Sequence, residues 1–361
     1  TLGAGILAAG VLLFLFDLVK NLRLGISGHA GDVWNAGTLE WLPTGPYSTR
    51  SIPAVHSREP LWDQPRLHDD VEAGRYFLPG APTGSRETII SSPFEAAPQY
   101  LARLPGPGWT PILAATFTAA FFLLLTVKLV AASVVCGISA VVMILIWTWN
   151  NDPPPQEPVD VGGGLRLPTY ASGSVSHSWW ATVIVLLVAG SLFLSFVFSY
   201  LYLWTVSPHR WPQAEDMLAP LAWPIGAGAL FALSGIAMTT ATRRLPQQNS
   251  TGIDFVFLVF ASLAALLAAL ALEFLAPWKA GLRPDASSYA AMVYLNVFLQ
   301  FQLGLALIVM AGFVIARSLC GRLDASRRVT FDNLALLHHY AIGKGLLGML
   351  LVHGFPRLVM G

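Results

Sequence analysis

WTPILAATFTAAFFLLLTVKLVAASVVCGISAVVMILIWTW, residues 109–149, carries one formal charge, Lys128, and has tryptophans at both ends. A membrane crossing takes about 20 apolar residues at about 1.5 Å rise each, so this run is too long for one span and long enough for two. It reads as a helical hairpin that turns near Lys128. Only a backbone that satisfies its own hydrogen bonds is tolerated in hydrocarbon, so each half should be helical.

Working outward, apolar runs of span length follow at about Trp179–Trp204, Ala219–Ala241, Gly252–Ala276, Tyr289–Ala316 and Phe331–Phe355, and one precedes at Leu2–Val19. The expectation is an all-α integral membrane protein with about eight transmembrane helices, grouped one, then two, then five. Trp109, Trp147, Trp149, Trp179, Trp180, Trp204 and Trp278 sit at span ends, as interfacial aromatics do. The whole chain agrees. Of its 361 residues 55% are hydrophobic and 11% charged, against roughly 25% charged in a soluble domain. That excludes a soluble globular enzyme and a disordered chain. A net charge of +1 offers nothing to a polyanion, so no nucleic-acid partner is expected. Cys136 and Cys320 are too far apart to suggest a disulfide framework or a thiolate metal motif.

Three segments follow: residues 1–20, one span; 21–108, a polar joining segment rich in Pro, Gly and charge; and 109–361, seven spans. The joining segment has neither sustained helical periodicity nor strand alternation, and is expected to be irregular and extended. A second polar linker, Asn150–Ser178, with Pro153-Pro154-Pro155 and Gly162-Gly163-Gly164, divides the seven spans two plus five. The chain opens on Thr1, inside an apolar run without a basic leader, and reads as the continuation of a longer polypeptide. Lys and Arg are more frequent on the side that includes 21–108, with Arg166, Arg243, Arg244, Arg317, Arg322, Arg327 and Arg328. The positive-inside rule makes that side cytoplasmic and the C-terminus external.

Of the eight histidines, His338, His339 and His353 alone lie on a span, all on the last. His339 and His353 are about 21 Å apart along a helix, the spacing of a two-haem helix. Haem ligation would need facing histidines on a second span, and no other span interior has one. Ionisable groups inside a membrane are costly and count as functional candidates. These are Glu273, near the end of its span where it can reach the interface, and Lys344, midway along the last run. With His339 and His353 they form the set of intramembrane polar candidates. One lysine and one glutamate do not make a proton relay, so pairing or snorkelling is the reading. Gln300 and Gln302 are expected to bond between helices, and Gly226, Gly228 and Gly235 to allow close packing. No phosphate loop, dinucleotide fingerprint or paired-cysteine copper motif is present, and no catalytic residue can be named.

Several strings nonetheless resemble one family. Residues 28–62, GHAGDVWNAGTLEWLPTGPYSTRSIPAVHSREPLW, are similar to the tail that follows the last helix of subunit I in bacterial cytochrome c oxidases, with its AGTLEW-like string and later SR-x-PLW. The opening TLGAGILAAGVLLFLFDLVKNLR resembles that last helix itself. Residues 74–109, GRYFLPGAPTGSRETIISSPFEAAPQYLARLPGPGW, resemble the joining segment of oxidases whose subunits I and III are fused. LLHHYAIGKGLLGMLLVHGFPRLV, residues 336–359, resembles the fused family's HY-x₃-QGLLG-x₃-VH-x-FPR ending, with Lys344 in place of the usual glutamine.

The resemblance implies the C-terminal part of a fused subunit I+III of an aa3-type haem-copper oxidase, a respiratory electron-transport complex of the bacterial inner membrane. Such a complex reduces oxygen with electrons from cytochrome c and translocates protons. It implies no cofactor in this chain, with haem and copper held by an upstream part of subunit I. Implied partners are subunit II, the rest of subunit I, cytochrome c and membrane phospholipids. Subunit III of this superfamily often has an acid within its third helix; the matching Val188-Ala189-Gly190-Ser191-Leu192 has none. A quinol oxidase of the same superfamily is the close alternative, and a redox-free transporter or scaffold the more distant one. A transporter would show inverted repeats and broken helices, and neither is visible.

Overall fold

Helix α4 (Thr110–Thr126) ends two residues before Lys128, which adopts a left-handed conformation (φ 62°), and α5 (Val130–Asn150) begins two residues after it. The turn falls where the lone charge interrupts the apolar run. The computed structural model describes residues 2–21, 32, 34–42, 51, 53–77, 86–104, 108–151, 157–162, 164–172, 176–212, 218–245 and 252–360. Thr1, His29, Pro153–Pro155 and Gly163, with parts of the strings at 28–62 and 74–109, lie outside them.

The long helices are α1 (Leu2–Asn21), α4, α5, α6 (His177–Val206), α7 (Ala222–Arg244), α8 (Ile253–Lys279), α9 (Ser288–Leu319) and α10 (Val329–Met349). A π-turn, Leu350–Gly354, carries α10 into α11 (Phe355–Met360). Seven of the described helices are long and apolar enough to cross a membrane; α4, at 17 residues, is shorter. The protein is an all-α, multi-pass membrane protein.

The polar joining segment differs from its expected irregularity. It forms two short helices, α2 (Pro60–Asp63) and α3 (Leu67–Glu72), and two strands, β1 (Arg86–Ser91) and β2 (Pro98–Leu104), that pair as a sheet. The cause is local chemistry too brief to leave a period. Pro60 supplies the preset φ of a first helical turn. Ala96, at φ 53°, closes the strand turn, where the Ser92 N–H donates to the Ala97 carbonyl. Glu87 and Arg103 form an ion pair at 2.7 Å across the ladder. In the second linker, β3 (Val159–Asp160) and β4 (Arg166–Leu167) pair around Gly162 and Gly164, both at positive φ.

Two compact units can be distinguished. The first comprises Thr1–Thr88, Arg103–Gly106 and Val159–Arg166. Within it no residue of α1 is buried, while Leu67 and Val71 form a small core under α3. The Trp62 indole donates to the Asn35 carbonyl, and the Leu61 N–H to that of Gly37. The second unit holds the remaining helices. Here α7 to α10, with α6 alongside, enclose a core of Phe231, Phe255, Leu266, Leu270, Leu307 and Phe331. A second cluster, Phe196, Tyr200, Trp211, Tyr289 and Val352, fills the opposite end. By contrast, α4 and α5 pack chiefly on each other. The contacts of α5 with the five-helix bundle gather at Trp149, where Arg322 donates to its carbonyl and covers its ring at 4.5 Å, and Phe313 meets it edge-on.

Candidate functional site

Along α10, His338, Ala341, Gly345 and Gly348 recur at three- and four-residue steps, so they share one face. That face is buried, and the polar side chains of α7, α8 and α9 converge on it. At one level the Ser234 hydroxyl of α7 donates to the Ser262 carbonyl of α8 at 2.7 Å, and the Ser262 hydroxyl donates to the Ser234 carbonyl at 2.9 Å. Each hydroxyl has one proton to give. Both oxygens therefore face His338 Nε2, at 3.0 and 2.9 Å, as acceptors. This network assigns the Nε2–H tautomer to the neutral ring, leaving Nδ1 with a buried lone pair and no partner among the described residues.

One helical turn on, the Gln300 amide of α9 donates to the Ala341 carbonyl at 2.6 Å. Gly345 makes this approach possible, because a Cβ there would lie 2.7 Å from Phe231 Cζ and 2.9 Å from Gln300 Nε2. At the next level Lys344 Nζ donates to the Asn296 carbonyl (3.1 Å) and to its Oδ1 (3.2 Å), and stands 5.5 Å from the centre of the Phe193 ring. Gly348 leaves room for the same Asn296 side chain. Beyond it, the π-turn frees backbone carbonyls that need partners. The Tyr289 hydroxyl donates to the Val352 carbonyl at 2.9 Å, and Arg357 Nη1 to that of His353 at 2.6 Å.

The four intramembrane candidates are not gathered into one site. Lys344 is buried and donates to Asn296. Glu273 departs from its expected reach to the interface: it is 4% exposed, and among the described residues neither carboxylate oxygen has a hydrogen-bond partner. The reason is α8 itself, which continues through Pro277 to Lys279 and keeps Glu273 inside the bundle. Glu273 lies within electrostatic reach of Lys344, whose Nζ is instead hydrogen-bonded to Asn296. His353 is buried in the π-turn, its Nδ1 without a partner among the described residues. His339 points outward. Its Nδ1–H donates to the Ala335 carbonyl at 2.6 Å, and Nε2 meets the Thr239 hydroxyl at 3.1 Å. It lines an open pocket of about 460 Å³ with Trp179, Thr242 and the ion pair Arg328–Asp332.

His338, noted in the sequence as one of three span histidines, carries the packing network together with Ser234, Ser262 and Asn296, which the sequence did not single out. The signal was there in the small residues at 341, 345 and 348, which mark the inward face of α10. Gln300 bonds between helices as expected, whereas Gln302 is exposed. Gly226, Gly228 and Gly235 lie against Leu272, Met349 and Ile342, each on another helix.

Chemically this is a set of interhelical clasps. Among the described residues no three His, Cys, Asp or Glu side chains gather as metal donors, and His338 and His339 already have hydroxyl partners.

No protein-family model and no curated protein sequence matches the chain.

Proposed function

We propose that the chain is the C-terminal part of a fused subunit I+III of an aa3-type cytochrome c oxidase in the bacterial inner membrane. The observation that carries this reading is the order of its strings: the AGTLEW and SR-x-PLW tail, then the joining segment, then the HY-to-FPR ending, all in one polypeptide. The one, two and five grouping of helices supports it. On this reading the segment takes no electrons itself. Its clasps hold a rigid membrane wall beside the redox subunit and its phospholipids, with the joining segment cytoplasmic and the C-terminus periplasmic.

Two observations test the reading. The gene upstream of Thr1 should encode roughly eleven further spans bearing the ligand histidines. The purified native complex containing this chain should show haem absorbance and consume oxygen with reduced cytochrome c. A haem-free complex would overturn the proposal, and activity with quinol alone would transfer the chain to the quinol-oxidising branch of the superfamily.

A further inference from the structure

At the end of the bundle where α7 begins and α8 ends, a pocket of about 510 Å³ opens between Leu218, Leu221, Trp223, Lys279 and Arg357. Its polar groups are cationic. Arg357 is fixed from two directions, Nη1 donating to the His353 carbonyl at 2.6 Å and Nη2 to the Ala219 carbonyl at 2.7 Å. Those acceptors are neutral carbonyls. Lys279 Nζ lies 5.7 Å from the centre of the Trp223 ring. Among the described residues neither cation has a carboxylate within ion-pair distance.

The backbone is close to neutral here. The helix that starts at Ala222 points its N-terminal end at the pocket, but the Trp223 N–H is taken by the Pro220 carbonyl and Pro224 has no N–H. At the end of α8 the Ala276, Trp278 and Pro277 carbonyls likewise accept from Ala280, Gly281 and Leu282 N–H groups, so the positive character comes from the two side chains. Two cations without a carboxylate partner among the described residues, one of them preoriented, beside an interfacial tryptophan form a receptor for a phosphate-bearing anion. We propose that this pocket binds the phosphate of an anionic phospholipid headgroup, with the acyl chains running down the exposed apolar flank of Leu221 and Ile225. The inference does not depend on the oxidase reading.

The test uses the full chain in its native complex, delipidated in detergent and titrated with phosphatidylglycerol or phosphatidylcholine, with lipid retention read by native mass spectrometry. Phosphatidylglycerol should be retained more strongly than phosphatidylcholine. Lys279→Gln should weaken that retention about fivefold and Lys279→Gln with Arg357→Gln about thirtyfold. Lys279→Arg should restore it, and Arg283→Gln, a cation held on Trp278 outside the pocket, should leave it unchanged. Competition by millimolar inorganic phosphate would identify a soluble phosphate as the ligand of the same anion site; its failure to compete assigns the site to lipid. Equal retention of the two lipids, or an unchanged affinity in Lys279→Gln, would overturn the proposal. The single lysine variant keeps this conclusion secure even if loss of the Arg357 anchors unfolds the double variant.

Discussion

The α4–α5 hairpin and the α7–α10 bundle have the same kind of composition and opposite uses for it. In α4 and α5 the hydroxyls of Thr116, Thr118, Thr126 and Thr148 each donate to a carbonyl one turn back in their own helix. In α7 to α10 the hydroxyls of Ser234 and Ser262 and the side chains of Gln300, His338 and Lys344 bond to a neighbouring helix. Apolar area cannot tell these regions apart, because lipid tails are as apolar as leucine and give helices no hydrophobic reason to associate. What separates them is where small residues let backbones approach and where polar side chains cross the gap.

The hardest blow to the comparison falls on the closest approach. Gly348→Val puts side-chain atoms where Asn296 sits, displaces the partner of Lys344 and should cost about 3 kcal/mol. Unfolding in detergent micelles measures it; a loss under about 0.5 kcal/mol would show that the α9–α10 contact is loose. His338→Ala comes next. It removes the ring that bridges α7 and α8 to α10 and leaves a buried void, for an expected loss of about 2 kcal/mol. The same substitution at His339, which is exposed, should cost well under half as much. Equal costs for the two neighbours would refute the assignment of the inward face.

The contrast between His338 and His339 also marks what sequence makes legible. Spans can be read because a bilayer demands an unbroken apolar run, and the Lys128 turn because a charge interrupts one. The inward faces are harder. Adjacent residues on a helix point about 100° apart, and both flanks of such a helix are apolar, so the usual amphipathic stripe is missing. Only the small residues at 341, 345 and 348 betray the seam, and they have meaning once Asn296 and Phe231 are known to lie opposite. Glu273 shows the same limit: proximity to a helix end in sequence gave it access to water, while the length of α8 takes that access away. The β1–β2 hairpin was invisible because its strands are short and its turn is closed by Ala96, without the Asn-Gly or Asp-Gly pair that announces a tight turn.

A smaller effect tests the bundle at its edge, in the loop joining α9 to α10. Burial pushes the Asp324 carboxyl up, but hydrogen bonds from Ser326 and Arg327 outweigh it and hold the group at about 2, below its ordinary 3.8. A depressed folded value means the stabilisation is complete above the unfolded value and lost as pH falls through the folded one. Asp324→Asn should therefore cost about 1 kcal/mol at pH 7, after allowance for a side chain 24% exposed, and almost nothing at pH 2. Melting temperatures of both proteins at the two pH values decide it; a penalty that persists at pH 2 would assign the effect to shape in place of charge.

The smallest expected effects belong to hydroxyls that bond within their own helix. Thr116→Val in α4 and Ser195→Ala in α6 each delete a hydroxyl whose bond returns to its own helix, to the carbonyls of Ile112 and Ser191. Those carbonyls keep their ordinary helical N–H partners, so no buried polar group is orphaned. Threonine and valine are nearly equal in shape, so no cavity opens at 116. Both substitutions should change the stability of the isolated chain by less than about 0.5 kcal/mol. If either costs more than about 1 kcal/mol in the assembled complex while remaining silent in the isolated chain, that exposed face is covered by another protein subunit. Silence in both states leaves it to lipid. The same pair of measurements thus separates a helix that is exposed because nothing packs there from one that awaits its neighbour.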